Sequence, residues 1–406
     1  VIILAALPLL FAHGPAALRV LPRRCWLPLV GWLVWQFVSA SRTVDTTLTT
    51  LALLQFSGIA AAYGLGLVLL SRPTALRWVV VGVSAGFCFC LMLAATQRMV
   101  EFPLDREILL EGQRTGWTNF PPATLEAMRR EGTLVSTNGV EVANPLLLLK
   151  LERGRVHGTL VYPNALAGVI LLLFPVAFQL VESVTRGQRP LIRYAALGLL
   201  AGLGAAALYW SGSKSGWLIA LAAAAALLLH HRQPVAGRRH WVWLALIAGG
   251  GLLLFAWRFQ GYFAAGATSV GARFDYWRAA GQTALAHPLT GTGPGTFQRP
   301  YAQLKAPESE MARLAHNDYL EQFSDSGWPG GILYLAWILA WLVHVGRWAW
   351  HRADAFGFTA TLGVAAWLAQ GLSEFSLYVP ALAWTAFTLA GALAARAASP
   401  ASSTDE

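Results

Sequence analysis

The sequence contains few charged side chains and few cysteines. Only 12% of its 406 residues are Asp, Glu, Lys or Arg, and only three are Cys. Soluble domains carry about twice that charged fraction, which excludes a soluble globular protein. The cysteines show no metal-ligand spacing and no disulfide framework. The chain is instead 56% hydrophobic, with a mean hydropathy of +0.51.

Apolar runs long enough to cross a bilayer recur along the chain, which predicts an all-α polytopic membrane protein. We expect a bundle of eleven visible transmembrane helices, at 1–12, 26–40, 47–70, 76–96, 160–181, 191–210, 214–229, 240–257, 328–345, 356–372 and 377–395. The apolar run Val1–Phe11 is shorter than a full span, and we interpret it as the remnant of one. Twelve helices are therefore expected in the full protein.

Two long polar stretches, expected to be extracytoplasmic loops, divide the chain. The resulting regions are N-terminal helices at 1–96, a loop at 97–159, central helices at 160–257, a larger loop at 258–327, C-terminal helices at 328–395 and a disordered cytoplasmic tail at 396–406. The first loop includes an amphipathic piece, Ala123–Arg130. We expect this loop to be a lid or an acceptor-docking surface, with a simple connector as the alternative.

The distribution of charge orients the predicted spans. If the C-terminal tail is cytoplasmic, the short loops and the tail on that side carry fourteen of the thirty basic groups and four of the twenty acidic groups. The whole net charge of +10 then lies on one face of the membrane. This is the positive-inside pattern. The basic balance is thus explained by topology and requires no nucleic-acid partner.

His316 is the candidate general base, because histidine titrates near neutral pH. It is followed by Asn317 and Asp318, either of which can cap a helix. A surface histidine beside a helix cap is the alternative interpretation. No second His or acidic cluster accompanies it at ligand spacing, so we expect no metal site.

Arginine and lysine side chains supply candidate phosphate ligands. Arg273 and Arg278 lie near the start of a predicted helix that includes Trp277, and a guanidinium fork suits phosphate. A solvated or headgroup-facing pair is the alternative. Lys214 is the one charge in a turn between two spans, where it would either hold a lipid-linked phosphate or extend to the membrane surface as an ordinary hairpin residue.

Two further motifs are weaker signals. Asn164 begins a span after Pro163, where it would face the bundle interior or the outer mouth, or would simply cap and pack. The segment Gly291-Thr-Gly-Pro-Gly295 does not fit a dinucleotide or P-loop pattern, so we expect a structural turn there.

Together these segments resemble the O-antigen ligase superfamily of bacterial envelope glycosyltransferases, which includes O-antigen polymerases and protein oligosaccharide ligases. The resemblance runs from about Gly158 to Leu333. It is carried by Tyr162-Pro-Asn-Ala-Leu-Ala167, Ser213-Lys-Ser-Gly-Trp217, Arg273 with Trp277, His287-Pro-Leu-Thr-Gly-Thr-Gly-Pro-Gly-Thr-Phe297, His316-Asn-Asp-Tyr-Leu320 and Asp325-Ser-Gly-Trp-Pro-Gly-Gly331. Their order and spacing make the match to the superfamily strong, whereas the subtype stays open.

The resemblance implies a twelve-helix bundle in the bacterial inner membrane, with the 258–327 loop over an active site that faces the periplasm. His316 matches the family's essential histidine and Arg273 its loop arginine. Lys214 stands where the family usually has arginine, so it would make a point contact in place of a bidentate one. Asn317, Asp318 and Asn164 would support the site, and Arg278 would assist at the phosphate.

The implied activity is a metal-independent, inverting glycosyl transfer without a cofactor. The donor would be a glycan on a polyprenyl-diphosphate carrier. The acceptor would be a hydroxyl of a lipid A-core sugar, of another glycan chain or of a protein, and the sequence does not choose among them. A transporter of lipid-linked sugars and a receptor-like membrane protein are the alternatives from other classes. A transporter predicts charged or broken helices near the midplane.

Overall fold

The computed structural model describes residues 19, 21–69, 73–137, 139–230, 238–264 and 268–399. Its helices are α1 (Leu27–Ala40), α2 (Thr46–Leu69), α3 (Pro73–Thr96), α4 (Phe102–Thr115), α5 (Pro122–Arg130), α6 (Pro145–Arg153), α7 (Pro163–Thr185), α8 (Pro190–Ser211), α9 (Lys214–His230), α10 (Arg238–Ala264), α11 (Thr268–Ala286), α12 (Gln298–Leu304), α13 (Asp318–His351), α14 (Ala355–Gln370) and α15 (Pro380–Ala398). Two short strands, β1 (Leu134–Thr137) and β2 (Val140–Ala143), pair as an antiparallel ladder with Leu134 opposite Ala143.

The prediction of an all-α polytopic membrane protein is confirmed. Six helices of the described part are long and apolar enough to cross a membrane, and α1, α9 and α14 are shorter apolar helices. Ten of the eleven predicted spans fall on described helices. The eleventh, 1–12, lies outside the described residues, as do residues 400–406 of the predicted tail.

Aromatic side chains and close helix contacts hold the centre of the bundle. Trp337 and Phe387 stack with ring centroids 4.6 Å apart, and the indole of Trp341 donates a hydrogen bond to Ala390 O at 3.0 Å. Helices α2 and α15 approach so closely that a Cβ on Gly66 or Gly391 would meet the backbone of the facing helix. Small residues at such contacts let the backbones of membrane helices approach closely, which increases their packing area.

The polar stretch 97–159 is a small folded unit. Helix α3 continues through a π turn at Gln97–Glu101 into α4, so that the helical rod runs from Pro73 to Thr115. The amphipathic piece predicted at Ala123–Arg130 forms α5. The unit has its own apolar core, made of Leu109, Trp117, Leu134, Ala143 and Leu151. The β1–β2 hairpin within it was not predicted from the sequence.

The polar stretch 258–327 is more helical than the sequence predicts. It contains the end of α10, all of α11 and α12, and the first ten residues of α13. Helix α13 already begins at Asp318, and the predicted span 328–345 lies in the part of the helix that follows a kink at Gly327. Its first turns carry polar side chains that are buried against α1, where Trp32 and Gln36 donate hydrogen bonds to the Gln322 side chain. The polar side chains at the start of α13 are therefore buried, although their composition is typical of a solvated segment.

The segment Gly291–Gly295 is a structural turn, as expected. The N–H of Gly293 donates to Asp325 O at 2.8 Å, and the N–H of Gly295 donates to the Asp325 carboxylate at 2.7 Å. The Ser39 hydroxyl donates to Thr290 O at 2.5 Å. The turn is therefore fastened to both α1 and α13 close to the site described next.

Candidate active site

His316 sits in a strained turn that immediately precedes α13. Its φ is 52°, in the left-handed region that residues other than glycine rarely adopt. On one side of it, the N–H of Ala315 donates to the Glu321 carboxylate at 3.0 Å. On the other side, the Asn317 side chain caps α13 by accepting from the N–H groups of Tyr319 and Leu320. Such strain persists only where neighbouring contacts impose it, and it concentrates at functional sites.

Glu374 lies beneath the imidazole. It follows α14 in the short connection before α15, and its side chain is only 1% exposed. Its Oε2 is 3.5 Å from His316 Nδ1, and neither atom has a hydrogen-bond partner among the described residues. The distance is longer than a good hydrogen bond, so the carboxylate faces the ring at the range of a loose ion pair.

Arg273 comes to the same carboxylate from α11. Its Nη2 pairs with Glu374 Oε1 at 2.5 Å, and its Nε donates to Ser373 O at 3.1 Å. Its side chain is 19% exposed. The structure therefore brings together His316 and Arg273, which match the family's essential histidine and loop arginine. The two residues meet at Glu374, which was not predicted from the sequence.

Asn164 supports the carboxylate from the start of α7. Its side-chain N–H donates to Glu374 Oε1 at 2.7 Å, and its side-chain oxygen accepts from Arg155 Nη2 at 2.8 Å. Arg155 Nε also donates to Ser211 O at 2.7 Å. A Cβ at Gly212, where φ is 62°, would lie 3.0 Å from Arg155 Nε. Burial lowers the pKa of Arg155, and the opposing effect of Glu374 is smaller.

Lys214 is the first residue of α9 and lies close to the ring of Phe259, which Arg258 also approaches. Its Nζ lies 5.3 Å from the ring centre of Phe259. The guanidinium of Arg258 lies at the same distance from that ring and 4.9 Å from the ring of Tyr209. Lys214 is half-buried, and it experiences the positive charges of Arg155, Arg273 and Arg258 together with the negative charge of Glu374.

Arg278 and Asp318 occupy different surroundings. Arg278 is exposed on α11 and pairs with Asp275 at 3.1 Å, so the structure does not place it against the Glu374 carboxylate. Asp318 is buried, and its carboxylate accepts from the N–H of Leu377 while its own N–H donates to Gly371 O. Asp318 therefore fastens the connection that carries Glu374 to the start of α13.

Aromatic rings enclose the imidazole. Tyr276 stacks against His316 with centroids 5.7 Å apart, and Phe375 meets it edge-on at 4.7 Å. Tyr162 in turn stacks on Phe375 at 4.8 Å. These rings limit the orientations of His316 and offer flat apolar surface next to it, which suits a sugar ring as well as an isoprenoid chain.

The site as a whole is a cationic surface. Arg273 pairs with Glu374, and Arg155 is linked to the same carboxylate through Asn164. Lys214 and Arg258 lie beside this cluster, which leaves an excess of positive charge suited to a phosphate-bearing ligand. An imidazole at the edge of this surface can move a proton. Within the described residues, no three His, Cys, Asp or Glu side chains form a group that could hold a metal ion.

Three residues of this site were not predicted from the sequence, namely Arg155, Arg258 and Glu374. Two of them carried a signal. Glu374 is an acid in a short connection between two spans, on the same side as the polar stretches, and Arg155 ends the first polar stretch just before the Tyr162-Pro-Asn segment. Arg258 lies inside a long helix, and only its stacking on Tyr209 distinguishes it.

A family model described as O-antigen ligase matches residues 199–335. The matched segment contains Lys214, Arg258, Arg273 and His316, whereas Arg155, Asn164 and Glu374 lie outside it. No curated protein matches the chain. The match over residues 199–335 shows that this segment of the chain is similar to the O-antigen ligase family, and it supports a relation to the O-antigen ligase and polymerase superfamily.

Proposed function

We propose that this protein transfers a glycan from a polyprenyl-diphosphate carrier to an acceptor hydroxyl at the outer face of the bacterial inner membrane. One observation carries the proposal: His316 and Arg273 share the buried carboxylate of Glu374, with three further cations close by. A general base beside a cationic surface is what this reaction requires, because the acceptor must lose a proton while negative charge grows on the leaving diphosphate.

His316 takes the acceptor's proton in this scheme. Glu374 faces Nδ1, so Nδ1–H is held toward the carboxylate and Nε2 is free to accept the proton. The acceptor oxygen then attacks the anomeric carbon from the face opposite the diphosphate. As that bond forms, the bond from the anomeric carbon to the diphosphate oxygen breaks, and the oxygen leaves with its electron pair. Direct displacement inverts the anomeric configuration.

The four cations stabilise the departing diphosphate. Arg273 and Arg155 are held in place by Glu374, Asn164 and backbone carbonyls, so they need little reorganisation when the charge develops. Lys214 adds a point charge at the start of α9. The apolar helices below the site would hold the polyprenyl chain. Arg278, which pairs with Asp275, would contribute only long-range attraction.

A transfer assay tests this proposal. Purified protein is given a polyprenyl-diphosphate glycan donor and a hydroxyl acceptor, and both the new glycosidic bond and the released polyprenyl diphosphate are measured. We expect one carrier released for each bond formed, at an undiminished rate in excess EDTA. Movement of the donor across a reconstituted bilayer without bond formation would point to a transporter. Activity lost in EDTA and restored by a metal would contradict the cation-based mechanism.

The acceptor class is decided by comparison of acceptors within the same assay. A lipid A-core sugar, the end of another glycan chain and a Ser- or Thr-containing protein are offered in parallel. Preference for the first indicates a ligase, for the second a polymerase and for the third a protein glycosyltransferase. The analysis of surface glycans in a deletion strain gives an independent answer, since a ligase defect leaves long chains on the carrier.

A further inference from the structure

A cavity lies at the far end of the bundle from His316, and the proposed transfer mechanism does not use it. It has a volume of about 600 Å³ and is formed where α3, α7, α14 and α15 come together. Its rim carries Arg77, Arg186, Arg396 and Asp354. Its wall is apolar and includes Leu76, Val80, Leu180, Val184 and Phe356.

The cavity and the candidate active site are separated by about the thickness of a bilayer. Helix α7 carries Asn164 of the active site in its first turn and Ser183 and Val184 of the cavity in its last. About twenty residues at 1.5 Å per residue span about 30 Å, which matches the hydrocarbon core. The positive-inside distribution of charge assigns the cavity to the cytoplasmic side.

The rim has more positive charge than its own acids neutralise. Arg186 pairs with Glu182 at 2.9 Å, and Arg396 pairs with Asp354 at 3.2 Å. Arg77 is exposed and has no acidic partner among the residues that the structure describes. Arg396 is also held over the rings of Trp348 and Phe356, so its position is fixed. The three arginines of the rim face two acids, Asp354 and Glu182, and Glu182 is shared with Arg193 at 2.8 Å, so the rim keeps an excess of positive charge.

The wall continues into the surface that would face lipid. Val80 is 4% exposed, whereas Val184 is 66% exposed. An occupant would therefore contact protein on one side and the membrane on the other. A ligand with an anionic head at the arginine rim and hydrocarbon against the wall satisfies both parts of the cavity.

We propose that this cavity binds an anionic glycerophospholipid of the cytoplasmic leaflet. The phosphate would contact Arg77 and Arg186, and the proximal acyl carbons would lie against Leu180 and Val184. Basic pockets between transmembrane helices on the cytoplasmic side are suited to such headgroups. The lipid would bridge α3 and α7 to α14 and α15, and so stabilise the end of the bundle that lacks the Glu374 network.

Lipid binding to the purified full chain tests the proposal. The delipidated protein in detergent is titrated with phosphatidylglycerol, with cardiolipin and with zwitterionic phosphatidylcholine, while native mass spectrometry and the melting temperature are recorded. We expect both anionic lipids to bind and to raise the melting temperature, and phosphatidylcholine to do so only weakly. A double variant, Arg77→Ala with Arg186→Ala, should bind the anionic lipids about 25-fold more weakly, since each arginine near a lipid surface contributes about fivefold.

Arg189→Ala is the matched control, because Arg189 lies in the same connection as Arg186 but does not line the cavity. It should bind anionic lipid as the wild type does. Equal weakening by Arg189→Ala, or equal stabilisation by phosphatidylcholine, would overturn the proposal. Soluble glycerol 3-phosphate is tested in parallel; if it binds as well as the lipids, the cavity is a site for a free anion and not for a lipid. These readouts are independent of glycan transfer, so the two proposals can fail separately.

Discussion

At the Glu374 carboxylate, three side chains meet that lie far apart in the sequence. Asn164 is 210 residues away, Arg273 is 101 and His316 is 58. A buried carboxylate without partners is strongly unfavourable, and so is a buried guanidinium that loses its carboxylate. Each partner therefore holds the others in place. The arrangement holds both the proposed base and one of the proposed phosphate ligands.

Substitution of Lys214 tests whether the cationic surface stabilises the leaving diphosphate. Lys214→Ala should lower the transfer rate on the order of a hundredfold, because one stabiliser of the leaving diphosphate is lost. Lys214→Arg should retain or improve activity, since it keeps the charge and adds a fork. Lys150→Ala, on exposed α6, is the matched control and should leave the rate unchanged. An unaltered rate in Lys214→Ala would show that Lys214 has no role in transfer and is an ordinary residue of the turn between two spans.

Part of this cluster was named from the sequence. His316, Arg273, Lys214 and Asn164 were chosen because each stands in a polar segment between apolar runs, where a charge or an amide is conspicuous, and their roles stay a prediction. Glu374 was missed because a single acid in a short connection is a weak signal that no neighbouring motif strengthens. Its importance arises only from folding, which places that connection under the His316 turn.

At the scale of elements, α13 determines where the site lies. Asn317 caps the helix, and seven of its first ten residues are buried, close to α1 and the 287–297 segment. The sequence indicated both the cap and an amphipathic stretch behind it, but it did not indicate that the polar side chains of Asp318, Glu321, Gln322 and Asp325 are buried. Their partners are Gln36, Ser39 and backbone groups distant in sequence, which periodicity cannot reveal.

Gly327 makes the kink in α13 possible. Its φ of 68° and ψ of −176° lie in a region that is essentially restricted to glycine, and an added Cβ would meet the backbone of Leu289. Gly327→Ala should therefore destabilise the protein by on the order of 2 kcal/mol, measured as a lower midpoint of thermal or denaturant unfolding. It should also reduce transfer, since the kink fixes the 287–297 turn.

Gly346→Ala is the control in the same helix, because nothing lies within 4 Å of a Cβ added there. It should be neutral or stabilising by up to about 1 kcal/mol, as alanine favours a helix over glycine. Equal stabilities of the two variants would contradict the assigned role of the kink.

At the scale of the whole molecule, the helices alternate so that two sets of connections gather at opposite ends. The connections around Arg155, Ser211–Lys214, His316 and Glu374 lie at one end, and those around Arg186 and Asp354 lie at the other. The hydrophobic pattern predicted this alternation, since spans are the strongest signal in the chain. The hydrophobic pattern could not predict how the polar stretches fold, because their folds depend on contacts between residues that are distant in the sequence.

The orientation of the whole bundle can be measured by labelling. Thr118→Cys, on the exposed 97–159 stretch, should react with a membrane-impermeant maleimide in intact cells, whereas Arg189→Cys should react only after the inner membrane is permeabilised. The native Cys25 and Cys90 are buried, and the half-buried Cys88 is replaced by serine in both variants to keep the background low. The reverse labelling pattern would place the candidate active site on the cytoplasmic side and contradict the proposed use of an extracytoplasmic donor.

We propose that His316, held between Glu374 and the aromatic rings, is the base that activates the acceptor. The most direct measurement is the rate of glycan transfer by purified His316→Ala beside His287→Ala, an exposed histidine in the same polar stretch, with both proteins verified as folded and membrane-inserted. We expect the transfer rate to fall by at least about a hundredfold in His316→Ala and to stay normal in His287→Ala. A near-normal rate in His316→Ala would contradict this proposal.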